Sequence, residues 1–133
     1  VMYLGEIVEI GPAEEVVNDP RHPYTKALVW STPNLDLDED RGESPIRGID
    51  IPDPVDPPSG CRFHTRCPYS VEACSKDTPA LERVEGGPEV RCHIYDEAYR
   101  DEFDETPDIS GPTCGQDQDD TEKTRAPSTE DAR

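Results

Sequence analysis

The sequence predicts a small, irregular α+β fold, held together in its compact part by a ligated centre or cross-link rather than by a large core. Three observations lead there. Only 32% of the 133 residues are apolar, where a globular domain carries roughly 45–50%. Fifteen prolines and nine glycines break up regular structure, since proline fixes φ and removes a backbone donor. Cys61, Cys67, Cys74 and Cys92 fall close together, and small domains with poor cores often rely on a metal or on disulfides. The expected order is a strand pair with two short helices (1–33), a proline-rich acidic connector (34–56), a loop-rich cysteine-ligated metal module (57–94) and a disordered acidic tail (95–133).

Residues 1–11, VMYLGEIVEIG, read as two short strands about a turn at Gly5-Glu6. Ile7, Val8 and Ile10 are β-branched and suit a pleated surface. The pair is too short to stand alone, so its partners are expected upstream of Val1, in a longer reading frame. Pro12 then opens a helix through Asn18, with Glu14 and Glu15 at the positive end of its dipole. Asp19-Pro20 ends it, because a residue before proline avoids the α region. A second helix runs from Pro23 to about Ser31, with Tyr24, Ala27, Leu28 and Ser31 on one face. The acidic, proline-rich stretch that follows holds one candidate strand, Ile46 to Ile51. Within the tail, only 96–103 suggests a helical stub; the remainder lacks periodicity.

The formal charge of −18, from 31 acidic and 13 basic residues, excludes nucleic acid and anionic lipid as natural partners, since phosphate recognition needs lysine and arginine. Only three of the basic residues are lysine, and 95–133 carry 13 acids against 4 bases, about half the net charge. Acidity spread over the whole chain with little lysine is the pattern of a halophilic protein. No apolar run approaches the roughly 20 residues of a membrane span, and a secretory leader is not expected.

Five, six and seventeen residues separate the successive cysteines from Cys61 to Cys92. Structural zinc prefers paired cysteines about two to four residues apart, so these gaps are wide for zinc. An iron–sulfur cluster is a larger body that loops can reach from several sides, and four thiolates are its usual ligands. Disulfides are the third alternative, disfavoured in a reducing compartment. Spacing ranks the three in that order, cluster first, and leaves all of them open. Gly60 gives the backbone freedom to turn near a metal, and Arg62, Arg66 and Arg91 stand beside ligands, where they would offset thiolate charge. His64 and His93 are expected around the site rather than in it. Cys114, in the tail, is a spectator.

The stretch GPAEEVVNDPRHPYTKALVWSTPN (11–34) and the run PPSGCRFHTRCPYSVEAC (57–74), followed by Cys92, resemble the C-terminal region of ATP-binding subunits of oligopeptide and dipeptide ABC importers. The resemblance spans residues 1–93. It implies that 1–11 are the last strands of an ABC ATPase domain whose phosphate loop, signature motif and Walker B acids lie in a missing upstream core. It also implies a 4Fe–4S cluster on Cys61, Cys67, Cys74 and Cys92, with zinc as the alternative. ATP and Mg²⁺ would bind only in that core. The implied partners are the core itself, a paired ATP-binding subunit and the transmembrane permease subunits, at the cytoplasmic face of the membrane and without direct contact to peptide.

This chain has no G-x-x-x-x-G-K-[ST] loop; Lys26, Lys76 and Lys123 lie outside any glycine-rich setting, so the cradle and cation for ATP phosphates are missing. It should be inactive alone as an ATPase, and no catalytic residue is assigned. His22-Pro23-Tyr24 reads as a structural junction, with Tyr24 and Trp30 as packing residues. Two other readings stand beside the importer: a stand-alone zinc-binding interaction module, and a truncated product without a function of its own.

Overall fold

The computed structural model describes residues 1–33 and 43–103. The first part of the acidic connector and most of the tail, whose disorder is expected, lie outside those residues, Cys114 included.

Strands β1 (Met2–Tyr3) and β2 (Glu6–Ile7) pair antiparallel, Met2 opposite Ile7 and Tyr3 opposite Glu6. The turn sits one residue earlier than the sequence suggests. Leu4 (φ 46°) and Gly5 (φ 84°) are its central pair, and two successive positive φ values are what a two-residue hairpin needs to match strand twist. Leu4 accepts that conformation because its side chain packs against the core formed by Tyr3, Val8, Phe63 and Cys67.

Within the described residues the hairpin packs on partners downstream, in the cysteine module. Phe63 is 1% exposed, and the rings of Tyr3 and Tyr24 stand 5.2 and 5.3 Å from it, tilted or edge-on. Edge-to-face contacts of this kind add about 0.5–1.5 kcal/mol to area burial. Tyr24 is thus the packing residue the sequence indicated.

A second sheet joins the two halves of the chain. Strand β3 (Glu9–Ile10), β4 (Glu82–Arg83) and β5 (Glu89–Val90) lie in the order β3-β5-β4, all antiparallel. None of these pairings was foreseen. Arg91 extends the seam: its backbone N–H donates to Val8, its Nε to Ile7 and its Nη1 to Pro79. Arg62 does likewise at the hairpin, donating to the Leu4 carbonyl and pairing with Glu6 at 3.4 Å. Both arginines serve as staples between segments distant in sequence.

Helix α1 (Ala13–Asn18) follows Pro12 and stops at Asp19, before Pro20. Helix α2 (Pro23–Ser31) starts at its proline, capped by the His22 ring. It buries Pro23, Thr25 and Ala27, whereas Leu28 stays 43% exposed. The anticipated apolar face is thus only partly used: Ala27 is buried and Leu28 is not. Ile46–Ile51 forms no strand. Gly48 turns there at φ 74°, no neighbouring strand offers a ladder, and Ile49 is left 89% exposed. Helix α3 (Glu72–Lys76) carries Cys74. Two 3₁₀ helices, His93–Tyr95 and Glu97–Glu102, carry ordered structure past residue 95, the second where the helical stub was expected. Among the described residues no helix is long and apolar enough to cross a membrane.

Candidate metal centre

The four cysteines reach one place from three kinds of local structure. Cys61 and Cys67 lie at the ends of a run of tight turns, with Cys67 N–H donating to the Phe63 carbonyl at 3.0 Å. Cys74 sits in α3, and Cys92 precedes the first 3₁₀ helix directly after β5. Cys61 N–H donates to the Cys74 carbonyl at 2.8 Å, which ties the first loop to α3.

Gly60 makes that approach possible. Its φ is +72°, and a Cβ there would fall 2.4 Å from the Cys74 carbonyl oxygen.

All four cysteines are free of disulfides and line one small cavity, together with Phe63, His22, His64 and His93. It encloses about 10 Å³, the space of roughly one water. Among the described residues no three His, Cys, Asp or Glu side chains are set closely enough to clasp a single ion. The thiols surround a space without meeting at a point.

Their electrostatics are of one kind. Burial pushes the Cys67 thiol up to about 12, with Cys61 and Cys74 adding to the rise. Cys61 goes up to about 11, again through burial first and then through Cys74 and Glu6. Cys92 lies well above the ordinary thiol value because it is buried, with the other three cysteines adding to it. Cys74 is raised by burial, with Glu102 a further cause. Each thiol therefore resists ionisation, and they resist it jointly.

A positive centre among them would reverse this, since a coordinated thiol is deprotonated outright. In donor chemistry the set fits an iron–sulfur cluster or zinc: four reduced sulfurs, mutually within electrostatic reach, walled by apolar side chains. In size the cavity is tight. A cluster would require the loop of Cys61 and Cys67 to move apart from α3 and Cys92.

The surrounding polar groups come from places that spacing does not reveal. Glu9 is fully buried in β3, and its two carboxylate oxygens accept the backbone N–H groups of Arg21 and His22, both at 2.9 Å. It thereby fixes the His22-Pro23-Tyr24 junction against the sheet. His22 is 1% exposed, and its Nδ1 accepts the Tyr24 N–H at 3.0 Å. Burial lowers its pKa to about 3, against a smaller raising effect of the Arg91 carbonyl. The junction is structural, as expected, but it also walls the cysteine cavity. Nothing in the spacing of a histidine so far upstream of Cys61 signals that. Of the arginines beside cysteines, Arg62 and Arg91 are engaged with backbone carbonyls, and Arg66 has a buried Nε without a partner among the described residues.

Comparison with known proteins gives a consistent picture. Residues 8–74 match the family described as the oligopeptide/dipeptide transporter, C-terminal region. A Sinorhizobium fredii protein named for ATP binding in a peptide ABC transporter is 46% identical over 94 residues, which cover 71% of this chain and 26% of that protein. A Bacillus subtilis protein named for ATP binding in oligopeptide transport is 45% identical over 96 residues, 71% of this chain and 29% of the relative. A di/tripeptide transport ATP-binding protein of Pseudomonas aeruginosa is 44% identical over 93 residues, 70% and 28% respectively. The chain therefore spans little more than a quarter of the length of these relatives.

Proposed function

Because the chain belongs to the oligopeptide/dipeptide transporter C-terminal-region family, we propose that it forms the C-terminal part of an ABC-transporter ATP-binding protein that powers peptide import. ATP and Mg²⁺ would be handled by an upstream core, and this part would carry a 4Fe–4S site on Cys61, Cys67, Cys74 and Cys92. The proposed assembly adds a second ATP-binding subunit and permease subunits at the cytoplasmic membrane face. The four-cysteine segment takes no part in contacting peptide.

One observation carries the metal reading: four free cysteines, drawn from 61–92, line a single apolar-walled cavity. Burying four neutral thiols side by side leaves weak hydrogen-bonding groups poorly used, whereas as thiolates around a positive body they would cross-link three loops of a protein with few apolar contacts. The role proposed for the cluster is structural. Its negative thiolates would lie close to the core residue Phe63 and to the β3-β5-β4 seam.

A single zinc is the second reading, and the small size of the cavity favours it. Metal and sulfide content separates the two. Anaerobically purified chain should be brown, with a broad visible absorption and about four irons per chain. Colourless protein holding one zinc and no sulfide would refute the cluster and retain the site. Protein that takes up neither would refute both.

A further inference from the structure

Residues 59–61 run against 74–78 through three hydrogen bonds. Ser59 Oγ donates to the Ser75 carbonyl at 2.8 Å, Cys61 N–H to the Cys74 carbonyl at 2.8 Å, and Thr78 Oγ1 to the Gly60 carbonyl at 3.4 Å. A main-chain bond of the kind between Cys61 and Cys74 sets two Cα atoms about 5.5 Å apart. A disulfide bridges Cα atoms about 4.4–6.8 Å apart. Both side chains line the same cavity of about 10 Å³, so their sulfurs face a gap of roughly one water. Cys67 is held otherwise. Its N–H is spent on Phe63 within its own turn, and it is buried, whereas Cys61 is partly exposed and open to a small oxidant.

We propose that Cys61 and Cys74 form a reversible disulfide when the site holds no metal, with a low-molecular-weight disulfide as oxidant. Cys61 gives its proton to water, and its sulfur attacks one sulfur of the oxidant; the other half leaves as a thiol. Cys74, deprotonated in turn, attacks the Cys61 sulfur of the mixed disulfide and displaces the second half. The two cysteines lose two protons and two electrons, and the oxidant gains both to become two thiols. Where thiols are kept reduced, bonds of this kind are mostly transient and sense redox state. Joining two of the four sulfurs also withdraws them as ligands, so the oxidised chain should not load metal until reduced. That consequence rests on the metal reading above; the bond itself does not.

Chain distance argues for other pairs, which makes the test discriminating. Five residues separate Cys61 from Cys67 and six separate Cys67 from Cys74, but twelve lie between Cys61 and Cys74. A shorter loop closes more readily in an unfolded chain.

The 133-residue chain carrying Cys114→Ser is stripped of metal with chelator and equilibrated with oxidised and reduced glutathione. Titratable thiols should fall from the four of Cys61, Cys67, Cys74 and Cys92 to two. Trypsin cuts after Arg47, Arg62, Arg66 and Lys76, so the product is peptide 48–62 bonded to peptide 67–76. Fragmentation should place that bond on Cys74, and Cys67→Ser should leave it in place. In urea the same chain should favour the two neighbouring pairs instead. No loss of thiols, a main product other than Cys61–Cys74, or one pattern with and without urea each overturns the proposal. Zinc and iron uptake by the reduced chain is measured separately. Uptake of neither refutes the metal reading and leaves the disulfide standing.

Discussion

Gly60→Ala is the sharpest test of how the cysteine loops are joined. Two costs add. The residue sits at φ +72°, and a side chain in the left-handed region costs roughly 1–2 kcal/mol. The new methyl would also fall 2.4 Å from the Cys74 carbonyl oxygen and 2.8 Å from the Ser75 carbonyl carbon. Both are main-chain atoms, so the loop must back away and weaken the 2.8 Å bond from Cys61 N–H to Cys74, a loss of about 0.5–1.5 kcal/mol.

The sum is about 1.5–3.5 kcal/mol, or a fall of about 6–28 °C in Tm for a folded part of this size. Gly48 provides the control. It has nearly the same φ, +74°, but nothing within 4 Å of its missing Cβ, so Gly48→Ala carries only the conformational cost, about 1–2 kcal/mol. Urea unfolding of the parent and both variants, each freed of metal with chelator, measures the difference. If the two variants are destabilised equally, the close approach of Cys61 to α3 is not what holds this region.

Further outcomes follow from the same contacts. Phe63→Ala, at a side chain 1% exposed, should cost about 3–5 kcal/mol by urea unfolding. Glu9→Ala would strand the N–H groups of Arg21 and His22, at about 1–3 kcal/mol for each buried donor left unsatisfied; amide hydrogen exchange at those two residues should quicken. The metal-free chain should lose stability as pH rises from about 9 toward 12. Cys61 and Cys67 ionise near 9.0 when unfolded but only at about 11 and 12 when folded, so the unfolded state sheds protons first. On the acid side, His22 titrates at 6.5 unfolded but at about 3 folded. Stability present above 6.5 should therefore fall as pH drops through that window, and His22→Asn should flatten this limb of a urea-midpoint profile against pH.

Helix boundaries were legible because proline marks them: Pro12 and Asp19-Pro20 bracket α1, and Pro23 opens α2. The four cysteines were legible by count and context. The sheet β3-β5-β4 was not, because its strands are two residues long and begin with glutamate. Nothing in Glu82-Arg83 or Glu89-Val90 distinguishes a strand from a polar loop; pairing across the chain, not local preference, makes them extended. The opposite error occurred at Ile46–Ile51, where β-branched composition promised a strand and no partner was in place. Likewise Glu9 and His22 gained their importance from burial, and burial of a polar group is set by what folds over it, not by its neighbours in sequence.

The pairing of Glu9 with Val90 bears on the timing of synthesis. A ribosome adding about 5–20 residues per second needs about 4–16 s to travel from one partner to the other. During that interval the ladder of β3 stays unmade, and the last of the four sulfurs does not yet exist. Delivery of any inorganic centre must therefore wait until translation has passed Cys92, so a slow codon or a pause between residues 10 and 92 prolongs the exposure of a nascent sheet edge.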